Sequence, residues 1–541
     1  MLASSIFYSI FFLAAVLVPA ALILCVLVLL DHRHAVWRVG ARIGHAIGGR
    51  LAAWAPARRA LAGFPRTVAF AEERLDARRP WGLSATVAGI ALLMSAWLFF
   101  GVLQDITAKD PLVTLDLRIH NMAPLFRTQA MTWVMLRVTE LGSAAVLATL
   151  CFGLALLAIA RARPRPAVAF VVAPLSAGLV SFALKVAVGH ARPMDSLVQT
   201  DTASFPSGHT IGAAVVYGLL LALLLRSGAR RATKVAGATL LNLVIVGVGI
   251  SRLYLGAHWP SDLLGSLAVA LALLCVILFF LQFEAPLGRI DAWKLPSGTR
   301  AARVAGIASL GVAVILAATL DPRVAGAPIE PPAPRDSMEL EAFLNPLPRE
   351  LARFSEDLVG GKMEPISLIF VGSRADLERA FGNAGWSLAD APTPVRVVQE
   401  MLNAATRRPD PNAPVTPAFL ASWPQTLAFE RPDERQADIN RRHHARVWQT
   451  SYCVAPGCRL VWVATASFDE GVEISAKLHL PTHRIDPDVD RERALIASAL
   501  AATGAIARGH AFVTSAMRGT NAAGDPFATD GRAVVLLLPA S

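Results

Sequence analysis

The sequence predicts an all-α polytopic membrane helical bundle of about eight spans, built on a six-helix core and followed by a soluble α+β domain. Two observations predict the bundle: hydrophobic residues make up 54% of the 541-residue chain, and they cluster in blocks of about 18–25 residues, the length of a spanning helix. A third observation predicts the second domain. After residue 320 the long apolar blocks stop, and a Pro-rich stretch leads into shorter, mixed patterns.

Eight apolar blocks are long enough to cross a hydrocarbon core of about 30 Å. They occupy residues 5–29, 83–103, 143–161, 167–188, 209–226, 234–250, 262–282 and 303–320. The first block lacks a basic leader and is too long for the apolar part of a signal peptide, so we interpret it as a retained anchor rather than a cleaved segment.

The blocks and their connections divide the chain into five parts. These are a transmembrane anchor (1–30), a basic cytoplasmic segment (31–82), the main transmembrane domain (83–284), a connector with the last span and a Pro-rich linker (285–336), and an α+β domain (337–541).

Loop charges predict the orientation. Arginine and lysine are concentrated in residues 31–82, 161–166, 226–234 and 288–303, which are alternate connections, so the positive-inside rule makes all four cytoplasmic. These loops also explain much of the net charge of +11, and we expect no nucleic-acid partner. The chain is expected to be a multi-pass protein of a bacterial inner membrane, with its C-terminal domain in the periplasm.

Three polar strings fall at helix ends on the predicted outer face: "KVAVGHARP" (185–193), "FPSGHT" (205–210) and "SRLYLGAHWPSD" (251–262). Lys185, Arg192 and Arg252 are cations at the mouth of an apolar bundle. Each alone fits a helix-end anchor that snorkels to the interface, but together they resemble a clamp for an anion. Ser207 and Gly208 fit the capped start of a helix, where free N–H groups bind oxyanions.

The two histidines of these strings predict nucleophilic catalysis. Asp262 follows His258 by four residues, so its carboxylate can hold one imidazole nitrogen and leave the other free to attack. His209 can protonate the departing oxygen. Because Asp262 is the only carboxylate in these strings, we expect neither a metal nor another cofactor.

The strings Lys185-x6-Arg192-Pro193, Pro206-Ser207-Gly208-His209 and Ser251-Arg252-x5-His258-x3-Asp262 fill eleven specified positions. Here the sequence resembles the type 2 phosphatidic acid phosphatase family, lipid phosphate phosphatases whose site is similar to that of vanadium haloperoxidases. The resemblance covers residues 83–282 and makes the six-helix core a phosphatase core. It implies catalytic roles for His258, His209 and Asp262, and phosphate-binding roles for Lys185, Arg192, Ser207, Gly208 and Arg252. At His190, relatives often have a further arginine.

The resemblance implies an integral membrane phosphatase that hydrolyses phosphate monoesters or pyrophosphates of lipids through a phosphohistidine intermediate. The expected site is at the outer face of the inner membrane, and the expected partners are a lipid phosphate substrate and the bilayer. Phosphatidate, phosphatidylglycerol phosphate, an isoprenoid pyrophosphate and a lipid A phosphate all fit. Two alternatives stay open: a phosphotransferase that passes the lipid phosphate to another acceptor, and a secretion or transport accessory protein.

Residues 337–541 show strand patterns at 366–372, 444–452, 459–467, 509–516 and 532–539, and helix patterns at 374–384, 395–404 and 489–503. Cys453 and Cys458 bracket the turn "VAPG", so a disulfide across a hairpin is expected in an oxidising periplasm, with a metal pair as the weaker alternative.

The segments "FVGSRADLERAFGNAGW", "RRHHARVW" and "THRIDPDVDRER" make this domain similar to the LssY-type C-terminal domain. The resemblance implies no specific activity, and a protein partner of the domain is unknown. Five polar side chains here fit a ligand site or, as we favour, a polar loop with a helix-capping Asp: His443, His444, His483, Asp486 and Asp490.

Overall fold

The computed structural model describes residues 63–76, 82–108, 111–198, 201–282, 300–320, 336–391, 412–433, 441–474 and 481–539, together with residues 396, 399, 403 and 410. The chain forms two compact units. The membrane unit contains the described residues up to 108 and those from 129 to 320, and the C-terminal unit contains residues 111–128 and the described residues from 336 onward. The predicted anchor 1–30 and most of the basic segment 31–82 lie outside the described residues.

Helices form all of the described regular structure before residue 320. They are α1 (Pro65–Leu75), α2 (Leu83–Ala108), α3 (Pro111–Met122), α4 (Gln129–Glu140), α5 (Ala144–Ala160), α6 (Pro164–Val188), α7 (Gly208–Arg226), α8 (Arg231–Tyr254), α9 (Pro260–Gln282) and α10 (Arg300–Thr319), with a 3-10 turn at Ala123–Phe126.

Six segments of the described chain are long and apolar enough to cross a membrane. They are Ala85–Ala108, Pro164–Val188, Gly208–Arg226, Arg231–Tyr254, Pro260–Leu281 and Arg300–Thr319. The number rises to seven if α4 and α5, which are bent by 46° at the break between them, form one span. The predicted helical membrane architecture is therefore confirmed. The count of eight stays a prediction, because the block 5–29 lies outside the described residues.

The helix limits follow from capping and turn residues. Ser143 begins α5 by accepting a hydrogen bond from Val146 N at 3.4 Å. Pro164 occupies the first turn of α6, where its missing N–H leaves no carbonyl without a donor. Gly189 ends α6 with φ of 64°, a left-handed conformation that glycine adopts without steric cost.

The core of the membrane unit is centred on α7. Ile211, Val215 and Leu219 are completely buried, and α7 packs against α6, α8 and α9. Because α7 is the most enclosed of the candidate spans, the polar residues at its first turn lie at the end of the bundle's central helix.

The C-terminal unit is built on strands. They are β1 (Asp336–Met338), β2 (Phe354–Glu356), β3 (Lys362–Pro365), β4 (Leu368–Val371), β5 (Ser387–Leu388), β6 (Phe419–Leu420), β7 (Trp423–Pro424), β8 (Leu427–Pro432), β9 (Arg442–Val454), β10 (Arg459–Ile474), β11 (Pro481–Ile485), β12 (Ile506–Phe512), β13 (Met517–Thr520), β14 (Pro526–Thr529) and β15 (Arg532–Leu537). The helices of this unit after residue 336 are α11 (Leu340–Leu344), α12 (Arg374–Asn383) and α13 (Val489–Ala502).

Within the described residues, the main sheet has the strand order β12-β15-β4-β10-β9-β8-β5, with β1 added to β9 and β11 to β10. One face of this sheet packs against α12 and α13, where Phe381 and Ile496 contact the apolar cluster around Trp462. On the other face, Trp448 and Val463 belong to a second apolar cluster with the segment that contains α11. The sheet is therefore covered on both sides, which agrees with the predicted α+β class.

The helix α3 belongs to the C-terminal unit, although the sequence assigns its residues to the transmembrane domain 83–284. Arg118 forms an ion pair with Glu356 and donates a hydrogen bond to Leu358 O at 3.0 Å. Asn121 Nδ2 donates to Ser422 O at 3.0 Å. The docking residues of α3 are dispersed over a short helix between two apolar blocks, so no sequence pattern indicates this packing.

Most predicted elements of the C-terminal domain coincide with observed ones, within a few residues at each end. The predicted helix 395–404 lies mainly outside the described residues. The structure joins Cys453 and Cys458 in a disulfide that links the end of β9 to the turn before β10.

Candidate functional site

The three polar strings lie at neighbouring helix ends of the membrane unit. Lys185 is in the last turn of α6, Ser207 caps the start of α7, and the third string joins α8 to α9. Arg192 Nη1 lies 3.2 Å from His258 Nε2, and the backbone N–H of Ser207 donates to Ser266 Oγ of α9 at 2.7 Å. The structure therefore brings together residues that are up to about seventy positions apart in the sequence.

The centre of this cluster is the pair His258 and Asp262. His258 Nδ1 lies 3.1 Å from Asp262 Oδ2, and the same oxygen accepts the Trp259 N–H at 2.9 Å. Asp262 is in the first turn of α9, where the helix dipole favours a carboxylate. The carboxylate fixes the Nδ1–H tautomer and leaves the Nε2 lone pair of His258 directed away from it.

The His258 ring is neutral in this setting. Burial lowers its pKa to about 3, and the charges of Arg252 and Arg192 act in the same direction, while the hydrogen bond and charge of Asp262 oppose them. A neutral imidazole has a free lone pair on Nε2, which is the form that a nucleophile requires.

Two further side chains contact Asp262 that the sequence does not assign to the site. Ser204 Oγ donates to Asp262 Oδ2 and lies 3.4 Å from His258 Nδ1. His190 Nδ1 lies 3.3 Å from the other carboxylate oxygen. His190 is the position at which the sequence departs from the resembled family, so the signal for it was present, whereas Ser204 has no motif of its own.

The cations Lys185 and Arg192 bond to backbone carbonyls of the segment before α7. Lys185 Nζ donates to Ala203 O and, at 3.3 Å, to Ser204 O. Arg192 Nε donates to Thr202 O at 2.6 Å, and its Nη1 donates to Ala257 O at 2.6 Å. Arg192 is thereby held beside His258 Nε2, and Lys185 is held against the segment that precedes α7.

Arg252 is positioned by a helix that the motif does not include. Its Nη1 donates to the hydroxyl of Thr139, in the last turn of α4, at 2.9 Å. Both residues are buried, and the negative charge of Glu140 acts on the Arg252 guanidinium. Thr139 and Glu140 are thus neighbours of the site that no motif predicts.

The start of α7 is a capped helix N-terminus. Ser207 Oγ accepts the Thr210 N–H at 3.4 Å, so this hydroxyl caps the helix. The first-turn N–H groups of Gly208 and His209 have no carbonyl partner within their own helix. A Cβ atom on Gly208 would lie 3.1 Å from Ser181 Oγ, so only glycine fits here without displacing a neighbour.

His209 is on the same helix turn and lies within electrostatic reach of the other site residues. The positive charges of Arg252, Arg192 and Lys185 act on its ring. His258 and Asp262 are buried, whereas Lys185, Arg192, Gly208 and His209 are half-buried. The cluster is therefore most accessible on the side formed by the cations, the α7 turn and His209.

An apolar cleft of about 710 Å³ lies in the same unit, among α2, α6 and α9. It is lined by Leu184, which precedes Lys185, and by Phe99, whose ring centroid is 5.6 Å from that of Phe205 in the second polar string. A hydrocarbon chain in this cleft would end close to the polar cluster.

The residues of the site do not form a metal-binding set. Asp262 is the only carboxylate among the predicted site residues, and its two oxygens already contact His258, His190 and Ser204. Across the described parts of both units, no group of three or more His, Cys, Asp or Glu side chains is arranged to hold a metal ion.

The polar residues singled out in the C-terminal domain have separate surroundings. His443 Nδ1 lies 2.9 Å from Glu492, and Asp490 accepts from Thr529 Oγ1 at 2.9 Å. The cap of α13 is Asp488, which accepts the Arg491 N–H at 3.1 Å. His444 is buried on the opposite face of the sheet from His443, and the side chain of His483 lies outside the described residues.

Residues 138–285 match the PAP2 superfamily, and residues 348–533 match the family described as LssY C-terminus. One relative is phosphatidylglycerophosphatase B of Bacillus subtilis (strain 168), which is 28% identical over 195 residues, covering 35% of this chain and 91% of the relative. A similar solved structure is that of the first transmembrane PAP2 type phosphatidylglycerolphosphate phosphatase from Bacillus subtilis. It is 28% identical and covers 34% of this chain and 94% of that chain, with a TM-score of 0.32.

Proposed function

The chain contains a PAP2 superfamily domain followed by an LssY C-terminal domain, and from this premise we propose that it is a metal-independent lipid phosphate phosphatase that works through a phosphohistidine. The observation that carries the proposal is the buried pair His258 and Asp262, with the other ring nitrogen of His258, Nε2, 3.2 Å from Arg192 Nη1. Similarity to a phosphatidylglycerophosphatase supports the reaction class.

In the first step, His258 Nε2 attacks phosphorus and the bond from phosphorus to the lipid oxygen breaks. His209 donates its proton to that oxygen, so the lipid leaves as an alcohol. Asp262 stays ionised and holds Nδ1–H, which stabilises the positive charge that the attacking ring acquires. In the second step, water gives a proton to His209 and attacks phosphorus, the P–N bond breaks, and inorganic phosphate leaves.

The phosphoryl oxygens need donors on several sides during both steps. Lys185, Arg192 and Arg252 supply positive charge, and the Gly208 and His209 amides supply N–H groups at the start of a helix. Without substrate, Arg192 donates a hydrogen bond to His258 Nε2, the atom that attacks. When substrate binds, the same Arg192 N–H donates to a phosphoryl oxygen instead. Arg192 thereby changes partner at the moment that the nucleophile is released.

The substrate class is an amphiphile with a terminal phosphate. The apolar cleft next to Leu184 accommodates a hydrocarbon chain while the head group occupies the polar cluster. Phosphatidylglycerol phosphate is the first candidate because of the related Bacillus enzyme. Phosphatidate, an isoprenoid pyrophosphate and a lipid A phosphate share the same chemistry.

We place the site at the outer face of the inner membrane. The basic connections 161–166 and 226–234 precede α6 and α8, so the positive-inside rule puts the far ends of these helices, with Lys185 and Arg252, on the outer side. The connection between α2 and α4 contains α3, which packs against β2 and Leu358. This packing supports the same, outer side for that connection and for the C-terminal domain.

The test is phosphate release by the purified full-length protein in detergent from a panel of lipid phosphates, with a metal chelator present. We expect turnover to survive chelation and to fall by at least about 10³-fold in His258→Ala, because the attacking atom is lost. The matched control is His510→Ala, which removes an exposed imidazole in β12.

Loss of turnover on chelation would contradict the metal-independent reaction, and full activity of His258→Ala would contradict the assignment of the nucleophile. Adding an acceptor alcohol separates hydrolysis from transfer. The phosphatase proposal requires inorganic phosphate to be the main product in its presence.

A further inference from the structure

A second polar cluster lies in the C-terminal unit, on the face of the main sheet that carries Trp448 and Val463. Three consecutive rows of opposed residues on β8, β9 and β10 form it. The rows are Ala428, Arg446 and Thr465; Glu430, His444 and Ser467; and Pro432, Arg442 and Asp469. Directly opposed residues of antiparallel strands share a face, so these side chains project to one side. We call these three rows the polar rows.

The polar rows lie directly beside apolar rows on the same face of the sheet, and both are buried. The adjoining row contains Trp448, Val463 and Ile369, which belong to the core around α11. Six of the polar side chains expose no more than 3% of their area: Glu430, Arg442, His444, Thr465, Ser467 and Asp469. A buried stretch of strand at this place would ordinarily be apolar.

The charged members of the polar rows neutralise each other. Arg442 Nη1 lies 2.8 Å from Glu430 Oε2, and its Nε lies 3.6 Å from Asp469 Oδ2. Arg446 Nη1 lies 3.6 Å from Glu364 Oε2 of β3. The cluster therefore offers hydrogen-bonding groups without a surplus of positive charge.

Several uncharged groups of the cluster have no hydrogen-bond partner in the part of the chain that the structure describes. They are the hydroxyls of Thr465 and Ser467, the hydroxyl of the adjacent Ser367, and both ring nitrogens of His444. His444 Nε2 lies 3.5 Å from Asp469 Oδ1 without forming a hydrogen bond. Buried polar groups are nearly always satisfied, and each exception destabilises the fold.

The His444 ring is uncharged. Burial lowers its pKa well below the usual range, and the charges of Arg446 and Arg442 act in the same direction. A neutral imidazole offers one donor and one acceptor, and each hydroxyl offers one donor and two acceptor lone pairs. The unsatisfied set therefore both gives and accepts hydrogen bonds.

We propose that the polar rows form a binding site for a neutral polyhydroxy group, such as a sugar ring or a glycerol moiety. Each hydroxyl of such a ligand also donates and accepts, so it matches Ser467, Thr465 and His444 together. An anion would meet the carboxylates of Glu430 and Asp469. This site goes beyond the lipid phosphatase reaction and uses none of its residues.

The test measures binding to the full-length protein by calorimetry, with two sources of the same chemistry. One arm uses free glycerol and free glucose. The other compares nanodiscs that contain phosphatidylglycerol or a glucosyl diacylglycerol with nanodiscs of phosphatidylcholine. Binding in the first arm identifies a soluble ligand, and binding in the second arm alone identifies a lipid head group.

Ser467→Ala and Thr465→Val each remove one unsatisfied hydroxyl. We expect each variant to weaken binding about tenfold, the effect of one lost hydrogen bond. The matched control is Thr450→Val on the same face of β9, where the hydroxyl donates within the protein to Val461 O at 2.7 Å. This control is expected to bind the probe like the wild type.

Stability without ligand provides a second readout. Because Ser467 and Thr465 carry an unsatisfied hydroxyl, their variants should unfold at a higher denaturant concentration than the wild type, whereas Thr450→Val should unfold at a lower one. Binding of no probe in either arm would overturn the polyhydroxy assignment. Destabilisation by Ser467→Ala equal to that by Thr450→Val would show that the hydroxyls are bonded by protein or water only. Neither readout uses phosphate release, so this proposal and the phosphatase proposal fail separately.

Discussion

At the scale of single residues, the carboxylate of Asp262 organises the phosphatase site. One oxygen accepts from the Trp259 N–H at 2.9 Å and from Ser204, and lies 3.1 Å from His258; the other lies 3.3 Å from His190. A buried carboxylate with this many donors is held in one orientation, so the tautomer of His258 is fixed before substrate binds.

Substitution can test whether Asp262 matters more than Ser204 for the reaction rate. Asp262→Asn should lower kcat by about 10²–10⁴-fold, because an amide can present its NH₂ group to Nδ1 and favour the wrong tautomer. Ser204→Ala removes only one of several donors and should lower kcat about tenfold. Both are measured as phosphate release at saturating lipid phosphate, and an equal effect of the two changes would contradict this ranking.

The sequence predicts the motif residues but not all of their supports. Lys185, Arg192 and His258 are identified by type and spacing within short strings. Thr139 contacts Arg252 across 113 positions of sequence, and Ser204 contacts Asp262 across 58. Serine and threonine are common in helix turns, so only the folded arrangement distinguishes these two from ordinary capping residues.

At the scale of elements, the turn between β9 and β10 is closed by the disulfide of Cys453 and Cys458. Cys453→Ser should lower the free energy of unfolding of the C-terminal domain by about 2 kcal/mol, the chain-entropy value for such a short loop. Phosphate release should change by less than about twofold, because neither cysteine belongs to the polar cluster around His258. Denaturant unfolding with and without reductant measures the first effect, and insensitivity of the wild type to reductant would contradict it.

The buried His444 of β9 should make the stability of the C-terminal domain depend on pH. Its pKa is lowered in the folded state, so unfolding takes up a proton below about pH 6.5, the ordinary histidine value. Its contribution to stability is therefore present above that pH and is lost as the pH falls, by up to about 1.4 kcal/mol per pH unit.

The measurement compares denaturant unfolding of wild type and His444→Gln at pH 7 and pH 5. Burial raises the pKa of Asp469, whose contribution has the opposite sign, and Glu430, Arg442 and Arg446 also face the ring. The difference between the two proteins isolates the histidine. An identical pH dependence in both would contradict the assignment.

The sequence predicts strands that are long enough to show a residue pattern typical of a strand. β9 alternates polar and apolar residues over His444–Val447, and β10 contains the apolar run Val461–Ala464, so both segments have the composition of buried strands. Strands such as β5, β6 and β7 are two residues long, and no periodicity exists over two residues. They form because the surrounding chain brings them together.

At the scale of the whole molecule, the helical membrane part was predictable from hydropathy, and the sheet-rich C-terminal part was predictable from its strand and helix patterns. The number of spans was less so. The helix α5 has 17 residues, about 25 Å at the helical rise, which is short for a full crossing. Its bend against α4 decides whether the two count as one span. Arg442, His444 and Arg446 of the polar rows lie in the string "RRHHARVW", but only strand register brings them beside Glu430, Thr465, Ser467 and Asp469.

The central claim is that His258 attacks phosphorus. The most direct measurement is rapid alkaline quenching of the full-length enzyme with ³²P-labelled lipid phosphate, followed by mapping of the labelled peptide. We expect the label on the peptide that contains His258 and no label in His258→Ala. Label on any other residue, or turnover with no labelled protein at any time, would contradict the account.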